Sequence, residues 1–377
     1  MKQDINQKPF DEKTLLKLDI FQECFKEWLP VFIHNSFIDE IYVLDLFSGS
    51  GTDTEGNYGS PLLLMDVVGK NGYNYCQTNL DKLSFWFNDK QNDKIQSLKS
   101  EIENYCKLCN SRSKCDLKCP LLNHIKYTSS DFNSLFYGHP LKTILGSSRI
   151  GVFMLIDQYG IKSFDQNIFV NLLNAKYTDF ICFYPSSFVR RFREHDAINK
   201  YIETNKIDFI NATPPQTHRV IANYYKSLIP NGKEYFIHHF SYLKGSNYYG
   251  LIFGSSHSYG MEKFLKICWQ YDPYSGESTE NINGDYHPGE LFYEGESKTI
   301  KKENVKKELL RKIRESKITN NKQGLKETLR LGCEPSLFKN IIKELSRGNR
   351  IEIISGEYNE QATSIHKVKE FNFKYLR

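Results

Sequence analysis

The stretch Tyr42–Gly51, with the sequence YVLDLFSGSG, combines residue types that can bind a small ligand. An apolar run ends at Asp45, and two glycines follow shortly after it. Glycines let the backbone approach a ligand closely, and an acidic side chain at the end of a strand can bind a polar group. We therefore predict a ligand-binding loop after a strand. Its predicted ligand-binding residues are Asp45, Phe47, Ser48, Gly49 and Gly51.

Ser60 and Pro61 indicate that a helix follows this loop, because serine caps helices and proline favours the first helical turn. The free backbone N–H groups at the start of such a helix attract a carboxylate. A structural turn is the alternative interpretation of the two glycines. A dinucleotide site is disfavoured, since Ser48–Gly59 is longer than the tight turn that such a site needs.

Four cysteines lie close together between residues 106 and 119. Thiolates at short spacing suit a tetrahedral Zn²⁺ ion, and an iron–sulfur cluster or chance free thiols are the alternatives. Four cysteine ligands leave no coordination position open, so we expect a structural metal site. The predicted metal ligands are Cys106, Cys109, Cys115 and Cys119.

Apolar runs of strand length recur along the chain, with amphipathic stretches of helix length between the earlier ones. This alternation predicts an α/β fold with a mainly parallel sheet and helices on both faces. A short loop containing Gly245 joins the last two runs, which predicts an antiparallel hairpin. The predicted strands are Ile41–Phe47, Tyr73–Gln77, Gly151–Asp157, Asp179–Tyr184, Tyr235–Phe240 and Tyr248–Phe253.

Composition and pattern also predict the domain organisation. Residues 1–40 form a helical lead-in, in which Thr14–Phe32 is a packing helix ended by Pro30. Residues 41–270 form the α/β domain, with a cysteine-rich insertion at 100–125, and residues 271–303 form a linker. Residues 304–377 predict three short helices and a β-ribbon, the outline of a winged helix.

Several of these motifs together resemble the three-Cys-motif partner proteins, which are S-adenosylmethionine-dependent methyltransferase-like proteins. The resemblance rests on Tyr42–Gly51, Tyr58–Leu62, Leu155–Gly160 and Leu251–His257, and it extends to the lead-in and the tail. It implies a Rossmann-like methyltransferase fold with a seven-stranded sheet ending in an antiparallel hairpin, plus a winged helix. It also implies S-adenosylmethionine as cofactor and leaves a partner protein as an open expectation.

The resemblance implies roles for residues around the cofactor. Asp45 and the glycine loop would hold its methionine part, and an acidic residue after the second strand would hold its ribose hydroxyls. With that strand at Tyr73–Gln77, Asn79 takes this place and Asp81 follows two positions later. Asp131 would meet the adenine amino group, with a helix cap as its alternative role. The cysteine insertion is then expected near the adenosine side of the pocket.

Asp157 and Tyr159 are the predicted catalytic residues, at the end of the fourth strand. In methyltransferases that modify amino groups of nucleic acids, an acidic or amide residue here accepts a hydrogen bond from the amino group, and an aromatic residue stacks on the base. Gln158 departs from the proline of that pattern. Amino-group methylation of a nucleic acid is the favoured function. The alternative function is that of a scaffold protein that has lost catalysis. For Asp157 alone, the alternative role is to cap a helical turn.

The net charge of +5 is spread over 50 basic and 45 acidic residues, so any surface that binds nucleic acid must be local. One candidate is a cluster of arginines after the fifth strand, where a solvated helix face is the alternative. Another is a basic run in the tail with Ser336–Leu345 as recognition helix, where a dimer or partner module is the alternative role of the domain. The arginines are Arg190, Arg191 and Arg193, and the tail cations are Lys301, Lys302, Lys306, Lys307, Arg311, Lys312 and Arg314.

The sequence also indicates roles for three histidines and one cysteine, and it suggests where in the cell the protein is located. His238, His239 and His257 are candidate pocket residues, whereas Cys182, inside an apolar run, is expected in the core. The first residues contain no apolar segment of signal-peptide type, and no apolar run approaches the length of a membrane span. A cytoplasmic location without membrane partners is therefore expected.

Overall fold

Seven strands form the central sheet of this protein, whose computed structural model describes residues 8–69, 73–109, 119–285, 300–358, 364–365 and 367–376. The strands are β1 Glu40–Asp45, β2 Leu83–Asn88, β3 Ile125–Thr128, β4 Ile150–Ile156, β5 Thr178–Tyr184, β6 Phe236–Lys244 and β7 Asn247–Ser255. Their order across the sheet is β3-β2-β1-β4-β5-β7-β6. Neighbours from β3 to β5 are parallel, and β7 is antiparallel to both β5 and β6.

Helices cover both faces of this sheet. The helices are α1 Glu12–Ile33, α2 Ser60–Val68, α3 Asn92–Leu108, α4 Phe132–Phe136, α5 His139–Gly146, α6 Gln166–Asn174, α7 Ser186–Arg191, α8 Asp196–Asn199, α9 Thr217–Ser227 and α10 Ser258–Tyr271. One core joins α1, α2, α3 and α10 to the sheet, and a second core lies on the other face under α5, α6 and α9. Within the described ranges, no helix combines the length and apolar character needed to cross a bilayer.

The strand order confirms the predicted Rossmann-like methyltransferase fold, with its mainly parallel seven-stranded sheet and antiparallel hairpin. The chain starts at the central strand β1, moves outward through β2 and β3, and then returns to β4 on the other side. Such a reversal opens a crevice at the carboxyl ends of the two central strands. The fold therefore places its binding crevice after β1 and β4.

The second strand differs from its prediction. Tyr75–Gln77 forms a short 3₁₀ turn, so the predicted strand Tyr73–Gln77 is wrong, and β2 is Leu83–Asn88. The side chains of β2 are buried on both sides: Phe85 and Phe87 enter one core and Trp86 enters the other. Burial on both faces removes the alternation of apolar and polar residues that marks a half-exposed strand.

The helix α1 forms as predicted but does not end at Pro30, which lies inside it. Asp11 caps its start, because the carboxylate accepts the backbone N–H of Thr14 at 2.9 Å. Proline cannot donate to the carbonyl four residues earlier, which belongs to Lys26. The hydroxyl of Tyr73 donates to that carbonyl at 3.0 Å. This external donor compensates for the missing helical hydrogen bond, so the helix continues to Ile33.

The tail contains three further helices and two strands. They are α11 Ile300–Arg314, α12 Asn321–Arg330, α13 Pro335–Arg347, β8 Ile351–Ser355 and β9 Asn372–Tyr375. The strands pair antiparallel with each other, and the indole N–H of Trp269 in α10 donates to the carbonyl of Gly332 at 3.1 Å. The element order is the predicted one, whereas the winged-helix assignment stays a prediction.

Candidate cofactor and acceptor site

The glycine loop leaves the end of β1 at the crevice described above. Gly49 and Gly51 have φ angles of 62° and 95°, in the left-handed region that favours glycine. The backbone N–H of Ser48 donates to the carbonyl of Asn88 at 2.9 Å, and the Ser48 hydroxyl donates to the same oxygen at 3.1 Å. The loop is therefore fixed to the end of β2 before its glycines turn the chain.

The rest of the loop folds back on itself before α2 begins. The N–H of Gly59 donates to the carbonyl of Gly51 at 2.7 Å, and the Asp53 carboxylate accepts the N–H groups of Asn57 and Phe10. Gly59 occupies the cap position of α2, so the prediction that Ser60 caps this helix is wrong. The long loop is thus an ordered turn that is also tied to the chain ahead of α1.

Asp45 is fully buried at the start of this loop. Its Oδ1 accepts the backbone N–H of Phe47 at 3.2 Å, whereas its Oδ2 has no hydrogen-bond partner among the described residues. Burial raises the pKa of Asp45 to about 7 although the nearby Ser60 side chain opposes the rise, and the charge of Asp157 adds to it. A buried carboxylate oxygen without a donor is costly. A ligand with a cationic amino group would supply the missing donor and favour the ionised form.

Asp89 is the acidic residue that follows β2, and the sequence analysis missed it. Its Oδ2 accepts the N–H of Gly49 at 3.3 Å, and its Oδ1 accepts the N–H of Gln91 at 2.8 Å. Asn79 and Asp81 were selected on the misplaced strand and precede β2. A six-residue strand is roughly 20 Å long, so these two residues lie at the opposite edge of the sheet. Asp89 therefore replaces them in the crevice.

Asp131 caps α4, as its alternative role required, by accepting the N–H of Asn133 at 3.1 Å. It also forms an ion pair with Lys90 at 3.1 Å, and this contact holds the pKa of Asp131 below its usual range. The next residue, Phe132, packs its ring on Phe47 with centroids 5.2 Å apart and planes 25° apart. Asp131 thus lies after β3 at the carboxyl edge of the sheet, beside the stacked rings of Phe47 and Phe132.

Asp157 follows β4, at the other side of the crevice. Its Oδ2 forms an ion pair with Lys17 of α1. Gln158 is buried: its Oε1 accepts the N–H of Ser163 at 2.8 Å, and its Nε2 donates to the carbonyl of Phe183 at 3.4 Å. Tyr159 is 61% exposed. Gln158 thus anchors the turn to β5. Asp157 then lies at the crevice, and Tyr159 lies at the outer surface.

The described cysteines of the insertion lie away from the crevice, so the predicted location of Cys106, Cys109 and Cys119 near the adenosine side is wrong. Cys106 and Cys109 lie at the end of α3, and Cys119 precedes the 3₁₀ turn that leads into β3. Both positions are at the amino edge of the sheet. A hydrogen bond from Cys106 lowers the pKa of Cys119 to about 7. Cys115 is outside the described residues, and the described ones contain no group of three or more metal-binding side chains.

Several predicted surface residues have structural partners. Arg190 donates to the carbonyls of Ala212 and Thr213 at 2.8 and 2.9 Å, and therefore holds a loop. In the tail, Lys301 is buried against Glu277, whereas Lys306, Arg311 and Lys312 form ion pairs with glutamates. Four cations of the predicted basic run thus have acidic partners within the fold. The assignment of Ser336–Leu345 as a recognition helix stays a prediction.

The remaining candidates are buried or lie elsewhere. His238 and His239 are buried in β6, and burial lowers their pKa values. His257 precedes α10 at the amino edge of the sheet and caps that helix. None of the three lies at the crevice. Cys182 is fully buried in the core, as predicted.

Comparisons with known proteins give only distant likenesses. No protein-family model and no curated protein sequence matches the chain. Among solved structures, TrmK of M. capricolum in complex with S-adenosyl-homocysteine is 13% identical with a TM-score of 0.31, covering 87% of this chain and 96% of its own. Protein LPL1258 of Legionella pneumophila is 12% identical with a TM-score of 0.34, covering 63% and 84%. The plantazolicin methyltransferase BpumL in complex with SAH is 8% identical with a TM-score of 0.32, covering 65% and 86%.

These likenesses are too low to carry an assignment. The strand order and orientation of the sheet define the class of protein instead: it has a Rossmann-like methyltransferase fold. The acidic residues and the glycines of the site lie at the carboxyl edge of this sheet, where such a fold has its crevice.

Proposed function

We propose that this protein is an S-adenosylmethionine-dependent methyltransferase that modifies an amino group in a nucleic acid. The observation that carries the proposal is the row of acidic side chains at the carboxyl edge of the sheet. Asp45 is the last residue of β1, and Asp89, Asp131 and Asp157 follow β2, β3 and β4 in that order. Each lies where one part of the cofactor or the acceptor would need a hydrogen-bond acceptor.

The described residues fit the cofactor. The unpaired Oδ2 of Asp45 can accept its amino group, and the ordered glycine loop leaves room for its methionine part. Asp89 can accept both ribose hydroxyls, because a carboxylate offers two oxygens. Asp131 can accept the adenine amino group, while Phe47 and Phe132 pack against the ring. These contacts would orient the cofactor along the edge towards Asp157.

S-adenosylmethionine supplies an electrophilic methyl group when bound. Asp157, at the end of β4, would accept a hydrogen bond from the amino group of the acceptor and so fix the direction of its nitrogen lone pair. Its side chain is 20% exposed, which allows access from the crevice. Gln158 holds the turn that positions Asp157.

Exposed aromatic and basic side chains on the same rim support a nucleic-acid substrate. Tyr159 follows Asp157, and Phe188 and Phe192 form a tilted pair with centroids 4.9 Å apart. Both phenylalanines are about 40% exposed. Exposed aromatic rings interleaved with Arg191 and Arg193 suit the stacking of bases near phosphates. Substrate presentation by the tail stays a prediction.

Two measurements test the proposal. Calorimetry should show one S-adenosylmethionine per chain, and labelled methyl groups should transfer to total RNA or single-stranded DNA. Asp157→Asn should lower transfer by about 100-fold, because a positioned acid–base group contributes roughly that factor, and should leave cofactor affinity within about threefold. The exposed Asp81→Asn serves as the control. Folded protein that releases no heat with the cofactor contradicts the methyltransferase, and binding without transfer to any nucleic acid contradicts the substrate class.

A further inference from the structure

Lys17 occupies the acceptor side of the crevice. It lies on α1, its side chain is 10% exposed, and it forms an ion pair with Asp157. The two residues are 140 positions apart in the chain, so the contact is made by the tertiary fold. A lysine side chain is rarely this buried without a specific partner. The ion pair shows that Asp157 can bind a nitrogen that carries N–H donors.

Aromatic rings surround this nitrogen. Lys17 Nζ lies 5.0 Å from the centroid of Phe183 and 5.8 Å from that of Phe21, within the range of cation–π contacts. Phe183 stacks on Tyr249 with centroids 5.7 Å apart and planes 15° apart, and Tyr249 stacks on Tyr242 at 6.3 Å. A carboxylate beside a row of roughly parallel rings can recognise a planar ring that carries an amino group.

The first turn of α1 is fixed to two parts of the site. Asp11, which caps the helix, forms an ion pair with Lys244 of the β6–β7 hairpin at 2.5 Å. Just before it, the N–H of Phe10 donates to Asp53 of the glycine loop at 2.6 Å. The position of Lys17 is therefore linked to the loop that would hold the cofactor.

We propose that Lys17 is an internal occupant of the acceptor site. Its ammonium takes the hydrogen bond to Asp157 and the ring contact with Phe183 that the amino group of the methyl acceptor takes during the reaction. Binding of the acceptor then requires Lys17 to leave the site. The apparent affinity for the acceptor is therefore lower than the intrinsic affinity, because only the molecules in which Lys17 has left the site can bind it. The acceptor is accordingly a base with an exocyclic amino group. This inference rests on the proposed function for the identity of the reacting group.

The test compares nucleotides that differ in the amino group. AMP and CMP carry an exocyclic amino group, whereas IMP and UMP carry a carbonyl at that position. Lys17→Met should strengthen the binding of AMP or CMP by about tenfold, since the competing occupant is removed, and should leave IMP and UMP unchanged. Lys26→Met, on the same helix but paired at the surface with Glu23, should change none of the four affinities.

Three further measurements make the outcome decisive. Thermal unfolding of Lys17→Met checks that the variant is folded, and Asp157→Asn introduced beside it should remove the gain for amino-bearing nucleotides. A folded Lys17→Met protein that binds AMP and CMP no better than the wild type overturns the inference. Cofactor calorimetry on both proteins separates the two proposals: discrimination between nucleotides without cofactor binding supports the acceptor site and contradicts the methyltransferase.

Discussion

The N–H of Gly49 donates to the carboxylate of Asp89 at 3.3 Å and so joins the loop after β1 to the end of β2. Asp89 therefore has one observed function and one proposed function: it supports the glycine loop, and it would accept the ribose hydroxyls of the cofactor. Because hydrogen bonds to a charged group contribute about 1.5–3 kcal/mol, Asp89→Asn should weaken S-adenosylmethionine binding about tenfold or more. Calorimetry measures this affinity directly.

Asp81→Asn is the matched control, since it removes an acidic group at the opposite edge of the sheet. Cofactor affinity should change by less than about twofold in that variant, as expected for a surface change away from the ligand. A larger loss for Asp81→Asn than for Asp89→Asn would show that the original assignment of Asn79 and Asp81 was right.

Asp45 should make stability depend on pH. Its pKa is raised from 3.8 to about 7 in the folded protein, so the folded state holds the proton more tightly and stability falls as pH rises through this interval. Asp45→Asn cannot ionise. Relative to the wild type, its free energy of unfolding should therefore increase by on the order of 2–3 kcal/mol between pH 5 and pH 8. Urea unfolding at both pH values tests this, and an unchanged difference contradicts it.

Gly51 should tolerate a side chain less well than Gly56 in the same loop. Both have positive φ angles, but an added Cβ at Gly51 would lie 2.9 Å from Leu98 Cδ1 and 3.3 Å from Glu101 Cβ, whereas at Gly56 it meets nothing within 4 Å. Gly56→Ala should cost about 1 kcal/mol of backbone strain. Gly51→Ala should cost about 2–3 kcal/mol, because contact with α3 adds to the strain. Equal losses in urea unfolding would show that α3 moves away freely.

The cysteine cluster predicts bound metal. Purified protein should contain about one zinc ion per chain, with an iron–sulfur cluster as the alternative. Cys106→Ser or Cys119→Ser should remove it, because these thiols lie together at the amino edge of the sheet, whereas Cys182→Ser should retain it. Elemental analysis after anaerobic preparation decides the point, and absence of both zinc and iron would rule out the metal site.

Lys301 should contribute to the docking of the tail. It donates to Glu277 at 2.6 Å, and both side chains are 8% exposed. Burial alone would raise the pKa of Glu277, but the charges of Lys301 and Arg219 and the contact with His239 hold this pKa well below its usual range. Lys301→Met should lower the free energy of unfolding by about 2–4 kcal/mol, since Glu277 loses a buried partner. The exposed Lys307→Met should change it by less than about 0.5 kcal/mol. Similar losses of unfolding free energy in Lys301→Met and Lys307→Met would contradict a contribution of Lys301 to docking.

The sequence predicted the parts of the fold that depend on local pattern. Alternating strands and helices, the terminal hairpin and the loop from Asp45 to Gly51 all have strong local signals, because glycine, proline and apolar runs act over a few residues. The prediction of the second strand was wrong because Tyr75 and Cys76 suggested an apolar run. Leu83–Asn88, richer in large apolar residues, carried the signal that could have found β2 and with it Asp89.

Contacts between distant residues could not be predicted in this way. Lys17 packs against Asp157 only after α1 has folded onto the sheet, and no spacing in the sequence links them. A weak signal was present: Lys17 is four residues before Phe21, on the apolar stripe of the helix. A charge on a buried stripe indicates a specific partner but does not identify it.

The helix α1 contacts both edges of the sheet. The indole N–H of Trp28 donates to Asp179 at the start of β5 at 3.0 Å, while Lys17 reaches Asp157 at the end of β4. A helix of 22 residues is about 33 Å long, so one rigid element spans the whole layer. The N-terminal segment is consequently not an exchangeable extension. In a chimera between two related chains, a junction at residue 40 would separate the acceptor side from the sheet that completes it.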